Sequence, residues 1–313
     1  MEQEAKIYVA GHRGMVGSAI VRELQRLGYE NIVTRSSAEV DLRNQASVEA
    51  FYREEKPDYV FVAAAKVGGI LANNTYRAEF LYDNLSIQNN LIHNAYVFGV
   101  KKLLFLGSSC VYPKLAPQPL KEDYLLSGYL EPTNEPYAIA KLTGIKMCEA
   151  YRDQYGCNFI SAMPTNMYGP NDNYHPENSH VLPALIRKFH EAKESGAPDV
   201  VVWGDGSAMR EFLYADDLAN ALVYLMLNYN EKEFVNVGYG SDITIGDLAK
   251  TVARIVGFNG NIVFDSSKPN GTPKKLMDSG RLFATGWKPK TDLRSGIEMT
   301  YSDFLTKHSN KNT

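Results

Sequence analysis

The stretch Lys6-Ile-Tyr-Val-Ala-Gly11-His-Arg-Gly-Met-Val-Gly17 decides the fold. A short β-rich run leads into three evenly spaced glycines, and residues 15–27 then have the pattern of a helix. Glycine permits a tight turn and lets the backbone approach a pyrophosphate, whose charge is favoured by the free N–H groups of a helix N-terminus. The stretch therefore predicts a dinucleotide-binding loop, and a plain strand-to-helix turn is the alternative.

The same alternation of strand and helix continues along the chain. Short apolar runs predict strands at residues 31–34, 58–64, 101–107 and 158–163, with helices at 47–55, 77–98 and 137–155 between them. Strands joined by crossover helices predict an α/β fold with a Rossmann-type, doubly wound parallel sheet. We expect the dinucleotide-binding lobe over residues 1–166, with a return at 211–237. A smaller mixed α/β substrate-binding lobe is expected over residues 167–210 and 238–313, because the rhythm loosens in a turn-rich stretch after Pro164.

Composition excludes several classes of protein. The chain has 313 residues, of which 44% are hydrophobic, and a net charge of −3 gives no global attraction to nucleic acid or to anionic membranes. Three cysteines show no metal-ligand spacing and cannot all pair within the chain, which fits a reducing compartment. No metal is expected, because a dinucleotide would supply the hydride and hydroxyl groups would stabilise the oxyanion. The N-terminus has no leader pattern and no apolar run reaches the ~20 residues of a membrane span, which predicts a cytoplasmic protein.

The end of the second predicted strand bears on which dinucleotide is bound. An acid at that position would repel a 2′-phosphate, but the chain reads Thr34-Arg35-Ser36-Ser37. Arg13 also rises from the glycine loop, so two guanidinium groups are available to a 2′-phosphate. The pattern favours NADP over NAD, and solvated arginines are the alternative.

A tyrosine and a lysine lie four residues apart in Pro136-Tyr-Ala-Ile-Ala-Lys141. In a helix this spacing places both on one face, so that the ammonium can lie beside the phenol and favour its ionised form. Such a pair suits proton transfer to a carbonyl. Taken alone, the pair is more typical of a solvated helix face than of a reaction centre.

The glycine loop, Ser108 after the strand at 101–107, and the Tyr137–Lys141 pair together resemble the extended short-chain dehydrogenase/reductases across essentially the whole chain. The resemblance implies that Ser108 binds the substrate carbonyl and that Tyr137 transfers its proton. It further implies that Lys141 holds the nicotinamide ribose and polarises the tyrosine.

Six separated segments narrow the resemblance to the members of this family that act on GDP-4-keto-6-deoxy-D-mannose. Those members epimerise C3 and C5 and then reduce the C4 ketone with NADPH, which gives GDP-L-fucose. The segments, in order, are residues 11–17, 63–69, 107–113, 135–141, 164–167 and 203–212.

The resemblance assigns a base and an acid to the epimerisation. Cys110 is expected to be the base, since in an extended chain it would point to the same side as Ser108. His180, in Asn178-Ser-His-Val181, is expected to be the acid at the start of a helix. The alternatives are a cysteine that fills apolar space and a capping or surface histidine, and His175 is the nearest rival to His180.

The resemblance also implies the remaining site residues and a homodimer formed through the helices at 77–98 and 137–155. Cofactor contacts are expected at Gly11, His12, Arg13, Gly14, Met15, Val16, Gly17, Arg35, Asp41, Leu42, Ala64, Lys141, Pro164, Asn166, Met167 and His180. Substrate contacts are expected at Ser108, Ser109, Asn166, Lys188, Trp203, Arg210 and Asp278.

Two other classes of function share parts of this pattern. One is another nucleotide-sugar enzyme of the same superfamily, either a 4-epimerase or a 4,6-dehydratase. A dehydratase would be expected to carry an Asp-Glu pair just after the serine, where this chain has Cys110-Val111. The other is a nonenzymatic dinucleotide-sensing protein, which would not need Tyr137, Lys141 and Ser108 together.

Overall fold

The computed structural model describes residues 1–176, 179–268 and 270–309. Its first part forms, in chain order, β1 (Ile7–Ala10), α1 (Met15–Arg26), β2 (Ile32–Val33), α2 (Gln45–Glu55), β3 (Tyr59–Val62), α3 (Ile70–Thr75), α4 (Arg77–Val97), β4 (Lys102–Leu106), α5 (Glu135–Tyr155) and β5 (Phe159–Pro164). Its second part forms β6 (Asn166–Tyr168), α6 (Val181–Ser195), β7 (Asp199–Trp203), β8 (Met209–Tyr214), α7 (Ala215–Asn228), β9 (Val235–Val237), β10 (Asp242–Thr244), α8 (Ile245–Val256), β11 (Asn261–Asp265), β12 (Lys274–Lys275), α9 (Gly280–Ala284) and α10 (Leu293–Ser309).

A six-stranded parallel sheet in the order β2-β1-β3-β4-β5-β9 forms the centre of the fold. The chain runs outward from β1 to β2 and then returns to β3 on the other side of β1. The carboxyl ends of β1 and β3 therefore flank the topological switch point, where α/β sheets bind their ligands. The predicted doubly wound α/β fold is confirmed.

Apolar side chains cover both faces of this sheet. On one face α1 and α7 pack together, and Leu24 and Leu222 are among their fully buried side chains. On the other face lie α2, α4 and α5, which bury Tyr52, Leu91 and Ile145. Each large side chain buried in this way contributes ~1.5–3 kcal/mol, so the sheet is a rigid platform for the loops at its carboxyl edge.

A third apolar cluster lies in the second part of the chain. It gathers α6, α8 and α10 around side chains such as Phe189, Leu248 and Ile297. Beside it, β8 pairs with β10, β12 and β6, and β7 pairs with β11. Leu282 and Trp287, which fall in the range predicted for the smaller lobe, pack in the core beside α1 and α7. The bounds of the two lobes stay a prediction.

The helices of the described ranges include none that is both long enough and apolar enough to cross a membrane.

Candidate active site

The glycine loop at the end of β1 is packed too closely for side chains. Gly11 has a φ of +88°, and a Cβ there would lie 2.7 Å from the backbone nitrogen of Ala64, just after β3. A Cβ at Gly17 would overlap the carbonyl oxygen of Gly11. Within the described ranges no side chain caps the N-terminus of α1, and its first turn carries no acid. The cradle therefore fits a dinucleotide pyrophosphate, which the free N–H groups and the helix dipole favour.

Arg35, which is expected to meet a 2′-phosphate, already has several contacts within the protein. Arg35 forms an ion pair with Glu55, donates to the carbonyl of Thr34 at 2.8 Å and lies over the ring of Phe51. Its guanidinium is therefore held in part by the protein itself.

No acid directly follows β2, as the sequence indicates, but a carboxylate from further along the loop reaches Ser36. The carboxylate of Glu39 accepts hydrogen bonds from the backbone nitrogen of Ser36 at 2.7 Å and from its hydroxyl at 2.6 Å. These bonds lower the pKa of Glu39, and the charges of Arg35 and Arg13 act in the same direction. Arg13 is exposed, and no ion pair to it occurs among the described residues. Arg13 is thus the more available of the two predicted arginines.

The loop expected near the adenine is anchored on α4. Asp41 is bound by the side chain of Arg43 at 3.0 Å, and Arg43 also reaches Asp83 of α4. Asn90 donates to the carbonyl of Leu42 at 2.9 Å.

The contacts predicted after β5 lie in another part of the site. Asn166 donates to the backbone carbonyl of Glu211 at 2.9 Å. Of the remaining predicted contacts, Pro164 ends β5 and Met167 lies in β6.

The N-terminal half of α5 faces the segment that follows β4. Lys141 donates to the carbonyl of Leu106 at 2.7 Å. One turn earlier, the side chains of Tyr137 and Ser108 interact, and near the helix start Asn134 donates to the sulfur of Cys110 at 3.2 Å. The helix therefore runs antiparallel to residues 106–110. The three helix residues share one face because they are spaced by three and four positions.

Burial controls the protonation of the Tyr137–Lys141 pair. It raises the pKa of Tyr137, as does the nearby Cys110, whereas hydrogen bonding with Ser108 acts in the other direction. Burial also lowers the pKa of Lys141 to about 7. The ammonium of Lys141 donates to the carbonyl of Leu106, and its effect on the phenol stays a prediction. Tyr137 keeps its proton at neutral pH, which is the state that a proton donor needs.

The expectation of an extended chain from Ser108 to Cys110 is wrong. Residues Ser109–Val111 form a single 3-10 turn, with the Ser108 hydroxyl accepting from the backbone nitrogen of Cys110 at 3.3 Å. The turn buries Ser109 and leaves Cys110 half-buried. The thiol still lies near Tyr137, because the turn and α5 pack together.

His180 lies at the N-cap position of α6, at the start of a helix as predicted. Its imidazole is accessible to solvent yet surrounded by protein, and burial followed by the charge of Lys275 lowers its pKa. Among the described residues no hydrogen bond joins His180 to Ser108, Cys110 or Tyr137. The preceding Asn178 of the predicted motif lies outside the described residues.

Basic side chains gather around β8. Arg210 donates to the carbonyl of Met209 at 2.7 Å, and burial lowers its pKa. Lys275 stands opposite Arg210 in the pairing of β12 with β8, so the two cations share one face of the sheet. No carboxylate lies within ion-pair distance of either in the part of the chain that the structure describes. Two adjacent unpaired cations repel each other and favour a bound anion.

Sequence reasoning missed Lys275 and Asn134. Lys275 became visible only through the pairing of β12 with β8. For Asn134 a signal existed, since the residue stands three positions before Tyr137 and an asparagine at a helix start usually caps the helix.

The other predicted substrate contacts lie at the edge of this region. Lys188 donates to the carbonyl of Val201 at 3.1 Å and lies 5.7 Å from the ring of Trp203, which is 62% exposed. Burial lowers the pKa of Lys188. The carboxylate of Asp278 accepts from the backbone nitrogen of Gly280 at 2.9 Å.

A buried carboxylate ties these elements together. Glu211 is fully buried, and it accepts from the backbone nitrogens of Gly240 at 2.7 Å and Met277 at 3.0 Å. Burial raises its pKa. Its neighbours Arg210 and Asp278 are thereby held on segments that share one anchor.

Residues 7–238 match the model of the NAD dependent epimerase/dehydratase family. Because this match spans well over half of the chain, the protein belongs to that family.

Its relatives narrow the comparison. GDP-L-fucose synthase 1 of Arabidopsis thaliana is 61% identical over 310 residues, which cover 99% of this chain and 96% of that protein. GDP-L-fucose synthase of Escherichia coli is 54% identical over 309 residues, covering 96% of each. The structure of a GDP-L-fucose synthetase from Naegleria fowleri bound to NADP superposes with a TM-score of 0.92 at 31% identity, covering 99% of this chain and 96% of that one.

Proposed function

We propose that this protein converts GDP-4-keto-6-deoxy-D-mannose to GDP-L-fucose, by epimerising C3 and C5 and then reducing the C4 ketone with NADPH. The observation that carries the proposal is the pairing of α5 with residues 106–110. It brings a proton-donating tyrosine, a serine hydroxyl and a thiol to one place at the carboxyl edge of the sheet. High identity to GDP-L-fucose synthases over nearly the whole chain supports it.

NADP(H) is the proposed cofactor. The cradle at residues 11–17 holds its pyrophosphate, and Arg13 with Arg35 meets the 2′-phosphate. Asp41, Leu42 and Ala64 contact the adenosine half, and Lys141, His180 and the segment from Pro164 to Met167 contact the nicotinamide half. When bound, the cofactor supplies the hydride.

The first chemical task of the chain is proton transfer at carbon. A C4 ketone acidifies the protons on C3 and C5, and the enolate oxygen needs hydrogen-bond donors. Ser108 and Tyr137 are those donors. Cys110 removes the proton from one face of the sugar, and His180 returns a proton from the other.

The second task uses the same carbonyl site. As C4 is reduced, the oxygen gains negative charge, and Tyr137 gives it a proton while Ser108 keeps its hydrogen bond. The phenol is protonated at neutral pH, as a donor must be, and its raised pKa means that it gives up the proton only as the ketone oxygen becomes charged. Lys141 beneath it reprotonates or orients the phenol.

The nucleotide half of the substrate lies over the smaller lobe, residues 167–210 and 238–313, while the dinucleotide lies over residues 1–166 and 211–237. Arg210 and Lys188 meet the diphosphate, Trp203 packs on the nucleotide, and Asp278 and Asn166 bind hydroxyl groups. The unpaired cations beside β8 support a diphosphate at this position.

We further propose a cytoplasmic homodimer. The outer faces of α4 and α5 expose Tyr82, Val97 and Ile139, with few charges between them. An exposed apolar stripe on two adjacent helices is typical of a helix-pair interface.

A product assay tests the function. Purified protein is supplied with GDP-4-keto-6-deoxy-D-mannose and, in parallel, with NADPH or NADH, and the nucleotide sugar released is identified by NMR. GDP-L-fucose with faster consumption of NADPH is expected. If folded protein yields no GDP-L-fucose with either dinucleotide, the proposed function is wrong.

The role of Cys110 can be tested in the same system. Without dinucleotide in D₂O, the wild-type protein should exchange the protons at C3 and C5. Cys110→Ser should slow this exchange by ~10²-fold or more, because an alcohol is a much weaker base than a thiolate at neutral pH. Unchanged exchange would remove Cys110 from the mechanism.

A further inference from the structure

We propose that Asn134 is a positioning residue whose side-chain amide holds the sulfur of Cys110 ready to act as a base. This inference deepens the proposed function and rests on it for the role of Cys110. The contact itself is the amide nitrogen of Asn134 at 3.2 Å from the sulfur.

The side chain of Asn134 does not cap the helix that it begins. It stands at the N-cap position of α5, where asparagine is among the most favoured residues because its side chain accepts from a backbone N–H of the first turn. In the described structure the Asn134 side chain makes no capping bond. By contrast, Asn44 caps α2 by accepting from the backbone nitrogen of Ser47 at 3.0 Å. Asn134 forgoes a capping bond and turns to the thiol instead.

The amide of Asn134 also favours the reactive form of the Cys110 sulfur. An N–H donor aimed at sulfur stabilises a thiolate more than a thiol, since an anion accepts stronger hydrogen bonds than a neutral group. The thiolate is the form that takes a proton from carbon. The amide also fixes the direction of the sulfur, which lies in a short turn rather than in a strand.

Three residues of α5 contact the segment that follows β4. Lys141 binds at Leu106, Tyr137 interacts with Ser108, and Asn134 binds at Cys110. One rigid helix therefore sets the base of the first reaction and the proton donor of the second. The side-chain oxygen Oδ1 of Asn134 is buried without a hydrogen-bond partner among the described residues. An unpaired buried acceptor is costly, so the side chain is held there by what its amide nitrogen does.

The test uses the thiol's own reactivity. The purified protein is alkylated with iodoacetamide over pH 6–10, and the peptide that contains Cys110 is followed by mass spectrometry, with the half-buried Cys157 as internal reference. Asn134→Ala should slow alkylation of Cys110 about tenfold at pH 7.5. Asn134→Asp should slow it further, because a carboxylate offers no donor and repels the thiolate. Cys157 should react as before.

Stability separates positioning from a structural role. Asp is as good a helix N-cap as Asn and favours the helix dipole, so Asn134→Asp should keep or raise Tm while it slows alkylation. Asn44→Ala is the matched control, and it should lower Tm without affecting Cys110. If both Asn134 variants alkylate at the wild-type rate, or if Asn134→Ala only lowers Tm as Asn44→Ala does, the inference is overturned.

The two hypotheses fail in different ways. If the wild-type protein neither exchanges nor reduces GDP-4-keto-6-deoxy-D-mannose, the proposed function is wrong, and the alkylation result still decides what Asn134 does to the sulfur. If the wild-type protein is active, Asn134→Ala should slow C3/C5 exchange about tenfold and leave the Kd for NADPH unchanged. Exchange at the wild-type rate would overturn the inference.

Discussion

At the scale of single residues, the chemistry of the site depends on how deeply the Tyr137 phenol and the Lys141 ammonium are buried. Burial raises the pKa of Tyr137, so the phenol keeps its proton, and it lowers the pKa of Lys141, so the ammonium loses its proton more easily. The pair is thus a neutral donor above a group that exchanges its own proton near neutral pH. Reduction of a ketone needs this order, because the oxygen must receive a proton as it becomes charged.

Tyr137→Phe should abolish this step while preserving the binding site. The ring is retained and only the hydroxyl is lost, so we expect kcat for ketone reduction to fall at least ~10³-fold with an unchanged Kd for NADPH. Stopped-flow absorbance of NADPH and a binding titration measure the two quantities. Tyr129→Phe is the control, since that ring is 94% exposed, and equal losses in both variants would contradict the assignment.

Lys141 should leave a signature in the pH dependence of stability. Its pKa is about 7 in the folded protein and 10.5 for an ordinary lysine, so between these values the unfolded chain binds a proton that the folded chain does not. The free energy of unfolding therefore gains a contribution that rises from pH 7 to pH 10. Urea unfolding of wild type and Lys141→Met should show the variant's relative stability greatest below pH 7 and declining as the pH rises.

A pH-independent difference between the two proteins would show that Lys141 is not buried as an amine. The control is Lys146→Met on the same helix, where the ammonium pairs with Glu149 at the surface. That substitution should not produce the trend.

At the scale of elements, the C-terminus of α7 is capped from the sheet. The buried ammonium of Lys102 in β4 donates to the carbonyls of Leu225 at 3.0 Å, and of Met226 and Tyr229 at 2.7 Å. The last carbonyls of a helix have no partner within the helix, so this lysine satisfies them and fixes α7 against the sheet. α7 in turn packs on α1, whose N-terminus forms the phosphate cradle.

Lys102→Met should therefore destabilise the protein by about 3 kcal/mol, because it leaves several buried carbonyls unpaired at nearly constant volume. Chemical denaturation measures the change. The adjacent Lys101→Met is the matched control, since Lys101 is half exposed and pairs near the surface with Glu2 and Asp58. Comparable losses in the two variants would contradict the capping role.

At the scale of the whole molecule, α5 has two faces with different surroundings. One face carries Asn134, Tyr137 and Lys141, and Ile139 on the other side is exposed, as Tyr82 is on α4. In the proposed homodimer the same helix would join the interface to the reaction centre.

Tyr82→Asp should split the homodimer, because it places a charge on an apolar helix face that the partner would bury. Sedimentation velocity should show a monomer at concentrations where the wild-type protein is dimeric. Val263→Asp on β11 is the control, since it adds the same charge at another exposed apolar position. A monomeric wild-type protein, or an unchanged Tyr82→Asp dimer, would contradict the proposed interface.

Much of the fold was predictable from the sequence because the signals are local. Buried strands read as continuous apolar runs, and the predicted strand at 101–107 agrees with Lys102–Leu106 within one residue at each end. The three glycines between a strand and a helix likewise predict a phosphate-binding turn from local sequence. The Tyr137–Lys141 spacing likewise predicts one helix face whatever surrounds it.

The tertiary structure decided which groups those local signals meet. Lys141 donates to the carbonyl of Leu106, and Lys275 joins Arg210 only through the register of β12 with β8. Glu39 returns to Ser36 by a turn that the strand pattern does not contain. Sequence alone thus determined the class of fold and the candidate groups, since periodicity and spacing act within one element. Their contacts and protonation depend on packing between segments far apart in the chain, and burial is a property of the whole fold.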